Sequence, residues 1–161
     1  MKYLKKISIL MLAITALISS NIPVKASAGN GLEKSIEEFS LTDQKESEDI
    51  SYMLGKGTDL YVGSVKINAL DSKTINVYGS TVAHHKCESI SLYIYVEQYN
   101  DGSWDSYKSY KYTEDNQSIL SKSVNLKVEP GHYYRLRGYH RTYNEGRQES
   151  TSTDTKGVYV G

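Results

Sequence analysis

From Asp59 onward the chain alternates polar and apolar residues with a period of two, a pattern that fits strands and fits helices poorly. The runs are Leu60–Ile67, Thr74–Ala83, Ser89–Tyr99, Trp104–Tyr112, Ser118–Val128, Tyr133–Tyr143 and Thr151–Val160, rich in Val, Ile, Tyr and Thr. Turn residues separate them: Asp71-Ser72, Asn100-Asp101-Gly102, Asp115-Asn116, Pro130-Gly131 and Asn144-Glu145-Gly146. About seven short strands at this spacing predict a single all-β domain, an antiparallel β-sandwich or barrel. In the third run Ile90, Leu92, Ile94 and Val96 form the inward set, with Ser91, Tyr93, Tyr95 and Glu97 outward. In the fifth, Val124, Leu126 and Val128 oppose Asn125, Lys127 and Glu129. A slip of one residue would bury charge, so the register is well specified.

The stretch Leu126-Lys127-Val128-Glu129-Pro130-Gly131-His132-Tyr133-Tyr134-Arg135-Leu136-Arg137 resembles the corner between strands E and F of fibronectin type III domains. The resemblance implies an immunoglobulin-like or fibronectin type III-like β-sandwich in which Tyr134 turns inward and bonds back to the corner backbone, with Leu136 next in the core. Thr74–Ala83 holds no tryptophan, where those domains carry one on strand B. A second resemblance covers residues 59–161. Gly79-Ser80-Thr81-Val82-Ala83, Tyr99-Asn100-Asp101-Gly102-Ser103-Trp104 and the Tyr-Tyr-Arg-Leu-Arg-Gly run are similar to short secreted proteins of Gram-positive bacteria. That group implies a compartment and no activity.

The N-terminal residues read as an export signal. Met1-Lys2-Tyr3-Leu4-Lys5-Lys6 is basic, Ile7 to Ile18 is uncharged, and Ala26-Ser27-Ala28 fits the small-x-small pattern of a cleavage site. The apolar run is shorter than the roughly 20 residues a bilayer span needs. Residues 1–28 are thus expected to be a signal peptide, and the product to be secreted, extracellular and without a stable membrane anchor. Cys87, the single cysteine, allows no internal disulfide and lies far from any lipoprotein position. Residues 29–58 are expected to be a flexible acidic lead-in or a pro-segment, and 59–161 the folded domain. Leu32, Ile36 and Phe39 fall at helical spacing there, but Thr42 to Asp49 is acidic and almost free of apolar residues.

The formal charge of the whole chain is zero, 19 basic against 19 acidic residues. The leader holds Lys2, Lys5, Lys6 and Lys25 and no acid, so without it the balance becomes 15 against 19, net −4. A chain so nearly neutral lacks the basic field that nucleic-acid binding uses, and no nucleic-acid partner is expected.

Few groupings suggest chemistry. His84-His85-Lys86-Cys87-Glu88 holds ligand-type residues, but neighbouring strand residues point to opposite faces, and His132 and His140 stand alone. No metal and no cofactor are expected. With the sandwich topology, one end would gather His84, His85, Glu114, Asp115, Glu145 and Arg147. No nucleophile elbow and no phosphate-cradling loop occur, so the chain is expected not to be an enzyme. A small secreted hydrolase using His85 and Cys87 is one alternative, and a bacteriocin-like or signalling factor released from a pro-segment is another.

The aromatic pattern is the more informative one. Of fifteen tyrosines only Tyr3 lies in the leader, and there is one Trp and one Phe. Parity places Tyr133, Arg135, Arg137, Tyr139 and Arg141 on the outer face of the sixth run, and Tyr93, Tyr95 and Tyr99 on that of the third. Flat amphipathic rings interleaved with guanidinium groups are the chemistry of binding hot spots. The expected site is therefore Tyr93, Tyr95, Arg135, Arg137, Tyr139 and Arg141, on a binding module whose partner is an extracellular protein or a cell-envelope glycan.

Overall fold

The computed structural model describes residues 41–161 apart from Leu54 and Lys56. The leader and the helical spacing of Leu32, Ile36 and Phe39 lie outside the described residues. Every regular element among the described residues is a strand: β1 (Leu41–Thr42), β2 (Glu46–Tyr52), β3 (Leu60–Asp71), β4 (Thr74–Asn100), β5 (Ser103–Lys127), β6 (His132–Asn144), β7 (Arg147–Asp154) and β8 (Gly157–Val160). The protein is all-β, as the alternation requires. The ladders are antiparallel except for the short β1–β8 pair.

The strands do not divide into two separate sheets as a sandwich would. They form one barrel-like sheet in the order β1-β8-β6-β4-β3-β2, with β5 beside β4 and β7 beside β6. Its backbone is the long β4–β5 hairpin, closed by Asp101-Gly102, both with positive φ (46° and 88°). β5 follows β4 from end to end, while the other neighbour of β4 changes from β3 (up to Ala83) to β6 (from Ser89). The four separate runs expected at 74–83, 89–99, 104–112 and 118–128 are thus two continuous strands. Between Ala83 and Ser89 strand β4 keeps a ladder partner only at Cys87, opposite Gln117 of β5. His84, His85, Lys86 and Glu88 are exposed and Cys87 alone is buried, so the alternation breaks although the backbone stays extended. Asp115-Asn116 marks no turn. Asn116, with φ 53°, sits within β5 beside the register shift between the Val82–Ile119 and Cys87–Gln117 pairs.

The stretch read as a flexible lead-in contains β1 and β2. β2 pairs with β3 over seven residues, and its alternate side chains meet the far side of the sheet. Ser51 Oγ lies 2.6 Å from Thr151 Oγ1, Asp49 Oδ2 accepts from the Asp154 amide at 2.7 Å, and Ser47 Oγ accepts from that of Lys156 at 2.9 Å. Side-chain hydrogen bonds, not a hydrophobic stripe, seat this strand, and for that reason its composition hides it.

The core runs through all the long strands: Val65 and Ile67 of β3, Ile75 and Val77 of β4, Leu120 of β5, Leu136 of β6, Val158 and Val160 of β8. Ile90, Leu92, Ile94 and Val96 are all buried, the inward set that parity selects, and each contributes about 1.5–3 kcal/mol by leaving water. The corner is as the fibronectin-type resemblance implies. Tyr134 is fully buried, its hydroxyl donates to the Glu129 carbonyl at 2.9 Å, and it accepts from Gln98 Nε2 at 3.0 Å. Burial pushes this phenol up to about 12.

Candidate functional site

β4 and β6 run side by side with Ser91 opposite Arg141, Tyr93 opposite Tyr139, Tyr95 opposite Arg137 and Glu97 opposite Arg135. The six residues expected from parity, Tyr93, Tyr95, Arg135, Arg137, Tyr139 and Arg141, therefore share one outer face. Tyr93, Tyr95, Arg137 and Tyr139 line a groove of about 560 Å³, together with Glu97, Ser106 of β5 and Ser152 of β7. Glu97 was readable, since it has the parity of Tyr93 and Tyr95. Ser152 and Asp154 were not, because the pairing of β7 with β6 leaves no mark in composition.

The arginines are held in different ways. Arg135 Nε donates to Glu97 Oε2 at 2.7 Å, and its guanidinium stacks 4.4 Å from the centre of the Trp104 ring. Arg141 lies over Tyr93 at 5.8 Å and donates to Tyr93 Oη and Ser91 Oγ at 3.4 Å each. Arg137 bridges Asp154 at 3.0 Å and Glu97 at 3.4 Å, yet 54% of its side chain stays in solvent. The Tyr93 and Tyr139 rings are 6.0 Å apart, whereas Tyr133 packs on Tyr159 and Tyr99 on Trp104. The accessible chemistry of the groove is thus one guanidinium, a carboxylate beside it, and tyrosine rings.

A second constellation lies at the end of the sheet. Asp59, just ahead of β3, has no exposed surface. Arg147 Nε donates to its Oδ2 at 2.9 Å, Asn144 Nδ2 to its Oδ1 at 3.3 Å, and His85 Nε2 lies 3.2 Å from Oδ1. The Arg147 hydrogen bond, set against burial and aided by Asn144, holds the Asp59 carboxyl below its usual range. Glu149 accepts the backbone N–H groups of Thr58, Asp59 and Leu60 at 2.8, 2.9 and 2.8 Å. Burial works against its charge, but these three donors outweigh it and lower that carboxyl too.

Of the six residues expected to gather at this end, His85 and Arg147 do meet, through Asp59. The Glu145 amide donates to Glu88, Glu114 pairs with Lys122 at 2.7 Å, Asp115 sits opposite Ser89 in the ladder, and His84 packs its ring 4.9 Å from that of Tyr61. Asp59, Asn144 and Glu149 went unread; each is an ordinary polar residue whose partner lies about 85 or more positions away. Cys87 is buried with its Sγ 3.6 Å from the His85 carbonyl oxygen. Burial first, then the charges of Asp59 and Glu149, push its thiol up, the reverse of what a thiolate nucleophile needs.

No curated protein matches the chain, and no solved structure does. The family described as "Family of unknown function (DUF6147)" matches over residues 33–158, most of the length, so the chain belongs to that family.

Proposed function

We propose that this protein is a secreted, non-enzymatic binding module that takes an extracellular protein or cell-envelope glycan into the Tyr/Arg groove between β4 and β6. The groove itself carries the proposal: its volume falls within the range of about 300–1,000 Å³ common for ligand sites. Tyrosine rings offer flat apolar area with little entropy to lose, and the adjacent Arg137 guanidinium and Glu97 carboxylate offer paired donors and acceptors. That combination suits sugar rings, which present C–H faces and neighbouring hydroxyls, so a glycan is the favoured ligand class. Export rests on the basic and apolar leader with its Ala26-Ser27-Ala28 site.

The alternative of a factor freed by removing residues 29–58 is less well supported, since that cut would take β1 and β2 out of the sheet. The test is capture: the protein from Gly29 onward is applied to envelope glycans and culture proteins beside a Tyr139→Ala variant. Retention of wild-type protein with loss of the variant is expected. Equal retention of both would remove the groove from consideration.

A further inference from the structure

We propose that Asp59, His85 and Cys87 form a binding site for a divalent transition-metal ion of the zinc class at the end of the sheet. The three side chains offer a carboxylate oxygen, an imidazole nitrogen and a sulfur, all within 4.8 Å of one another. This is the mixed O/N/S set that borderline metal ions take up. The strand explains the selection. His85 and Cys87 are two apart on β4 and share a face, while His84 points the other way onto Tyr61. The His84 amide donates to the Asp59 carbonyl at 2.8 Å and so pins the third donor beside them.

The spacing is close to what an ion requires. Tetrahedral bonds of about 2.0–2.3 Å put ligand atoms about 3.3–3.8 Å apart. Asp59 Oδ1 and His85 Nε2, at 3.2 Å, stand almost at that separation. The three donor atoms, within 4.8 Å of one another, have to close by at most roughly 1–1.5 Å to reach that separation. Asp59 and Cys87 are buried while 46% of the His85 side chain is exposed, so the ion enters on the imidazole side and water completes the coordination.

The surrounding charges fit a dication. Asp59, Glu149 and a Cys87 thiolate bring three negative charges and Arg147 one positive, a local sum of −2. Arg147 holds Oδ2 of Asp59 and leaves Oδ1 turned to His85 and Asn144, the way outer hydrogen bonds orient a ligating carboxylate. On binding, the Cys87 thiol gives its proton to solvent and the sulfur bonds to the metal. His85 coordinates through Nε2 with its proton on Nδ1.

The test is a cobalt(II) titration of the protein from Gly29 onward, with zinc as competitor. One equivalent of cobalt is expected to give a thiolate-to-metal band in the near ultraviolet and the visible bands of a four-coordinate site, both bleached by zinc. Cys87→Ser should lose the ultraviolet band. His85→Ala, a change at a half-exposed residue, should weaken binding more than about tenfold while the metal-free melting temperature stays put. His84→Ala should bind as the wild type does. No thiolate band in the wild type would overturn the site, and so would full affinity in His85→Ala or an equal loss in His84→Ala. Should Cys87→Ser fail to fold, the two histidine variants decide the matter.

Discussion

Strand β6 carries two rows of side chains with opposite fates. The inner row, Tyr134, Leu136, Gly138, His140 and Thr142, is buried, whereas Tyr133, Arg135, Arg137, Tyr139 and Arg141 all keep contact with solvent. The rows differ in how they tolerate error. An inner residue has neighbours on every side, so a change leaves a hole or a clash. An outer residue exchanges a protein contact for water at little cost. The comparison teaches that one strand holds the fold with its even-numbered residues and offers chemistry with its odd ones.

The sharpest break in that comparison is at Tyr134 and Tyr133. Tyr134→Ala should cost about 3–5 kcal/mol for the cavity under the corner. Tyr134→Phe should cost about 1–1.5 kcal/mol for the bond to Glu129. Tyr133→Ala, which gives up a ring contact with Tyr159, should cost about 1 kcal/mol. Urea unfolding of the three variants checks the order, and equal costs at 133 and 134 would refute the two-row description.

His140 adds a pH dependence to the inner row. Its Nδ1 lies 3.0 Å from Thr81 Oγ1 and its Nε2 2.9 Å from Thr153 Oγ1, and it has no exposed surface. Burial, only partly offset by Asp49 and the Ser80 backbone, depresses it from 6.5 to about 4. The folded state thus refuses a proton that the unfolded chain accepts below pH 6.5. Stability is therefore full above that pH and falls as the pH drops from 6.5 to about 4, by about 3 kcal/mol. Asp59 and Glu149 have folded values below their ordinary 3.8 and 4.5, so their contribution is lost at still lower pH. Unfolding free energy measured across this range should slope in the wild type and be flat from 6.5 to about 5 in His140→Gln, above the range where Glu149 begins to contribute. A slope that persists in the variant would assign the effect elsewhere.

The inner row also leaves no room for addition. A Cβ at Gly63 of β3 would run into the His140 ring, and one at Gly138 into Thr153 and His140. Gly63→Ala should cost about 1–3 kcal/mol through overpacking, seen as a lower melting temperature. An unchanged melting temperature would show that β3 does not press on β6 there.

Parity was the part of this molecule legible in the sequence. It placed Ile90, Leu92, Ile94 and Val96 inside and the six Tyr/Arg residues on outer faces, because period two reports directly which face is dry, while the resemblance to the fibronectin-type corner supplied Tyr134. It missed what burial does not write into composition. β2 shows its only apolar side chains, Ile50 and Tyr52, to solvent and is seated from the other face by Ser47, Asp49 and Ser51. The bridge from His84 to Glu88 is exposed except at Cys87 and reads as a loop. His140 and Thr142 are polar yet inward: His140 is held between Thr81 and Thr153 on other strands, whereas the Thr142 hydroxyl has no partner among the described residues. The Asp59 cluster joins residues from before β3, the middle of β4 and the start of β7, so only the folded register brings it together.

The smallest effect on stability is expected where the largest effect on function lies. Arg137 is more than half exposed, and its bridges to Asp154 and Glu97 are surface pairs of the kind worth about 0–1 kcal/mol. Tyr139 gives up one ring contact with Tyr93. The double change Arg137→Ala with Tyr139→Ala should therefore lower stability by about 1 kcal/mol at most. It also removes the guanidinium and one wall of the groove, and should weaken attachment to a captured glycan or protein by more than about tenfold. Changing His84 and His85 to alanine, at the far end of the sheet, should leave attachment alone. Melting and binding measured on the same samples separate the two roles of the outer row. Lost stability with intact binding would mean that the outer residues only brace β4 against β6. Lost binding with intact stability would put the recognition surface on that face.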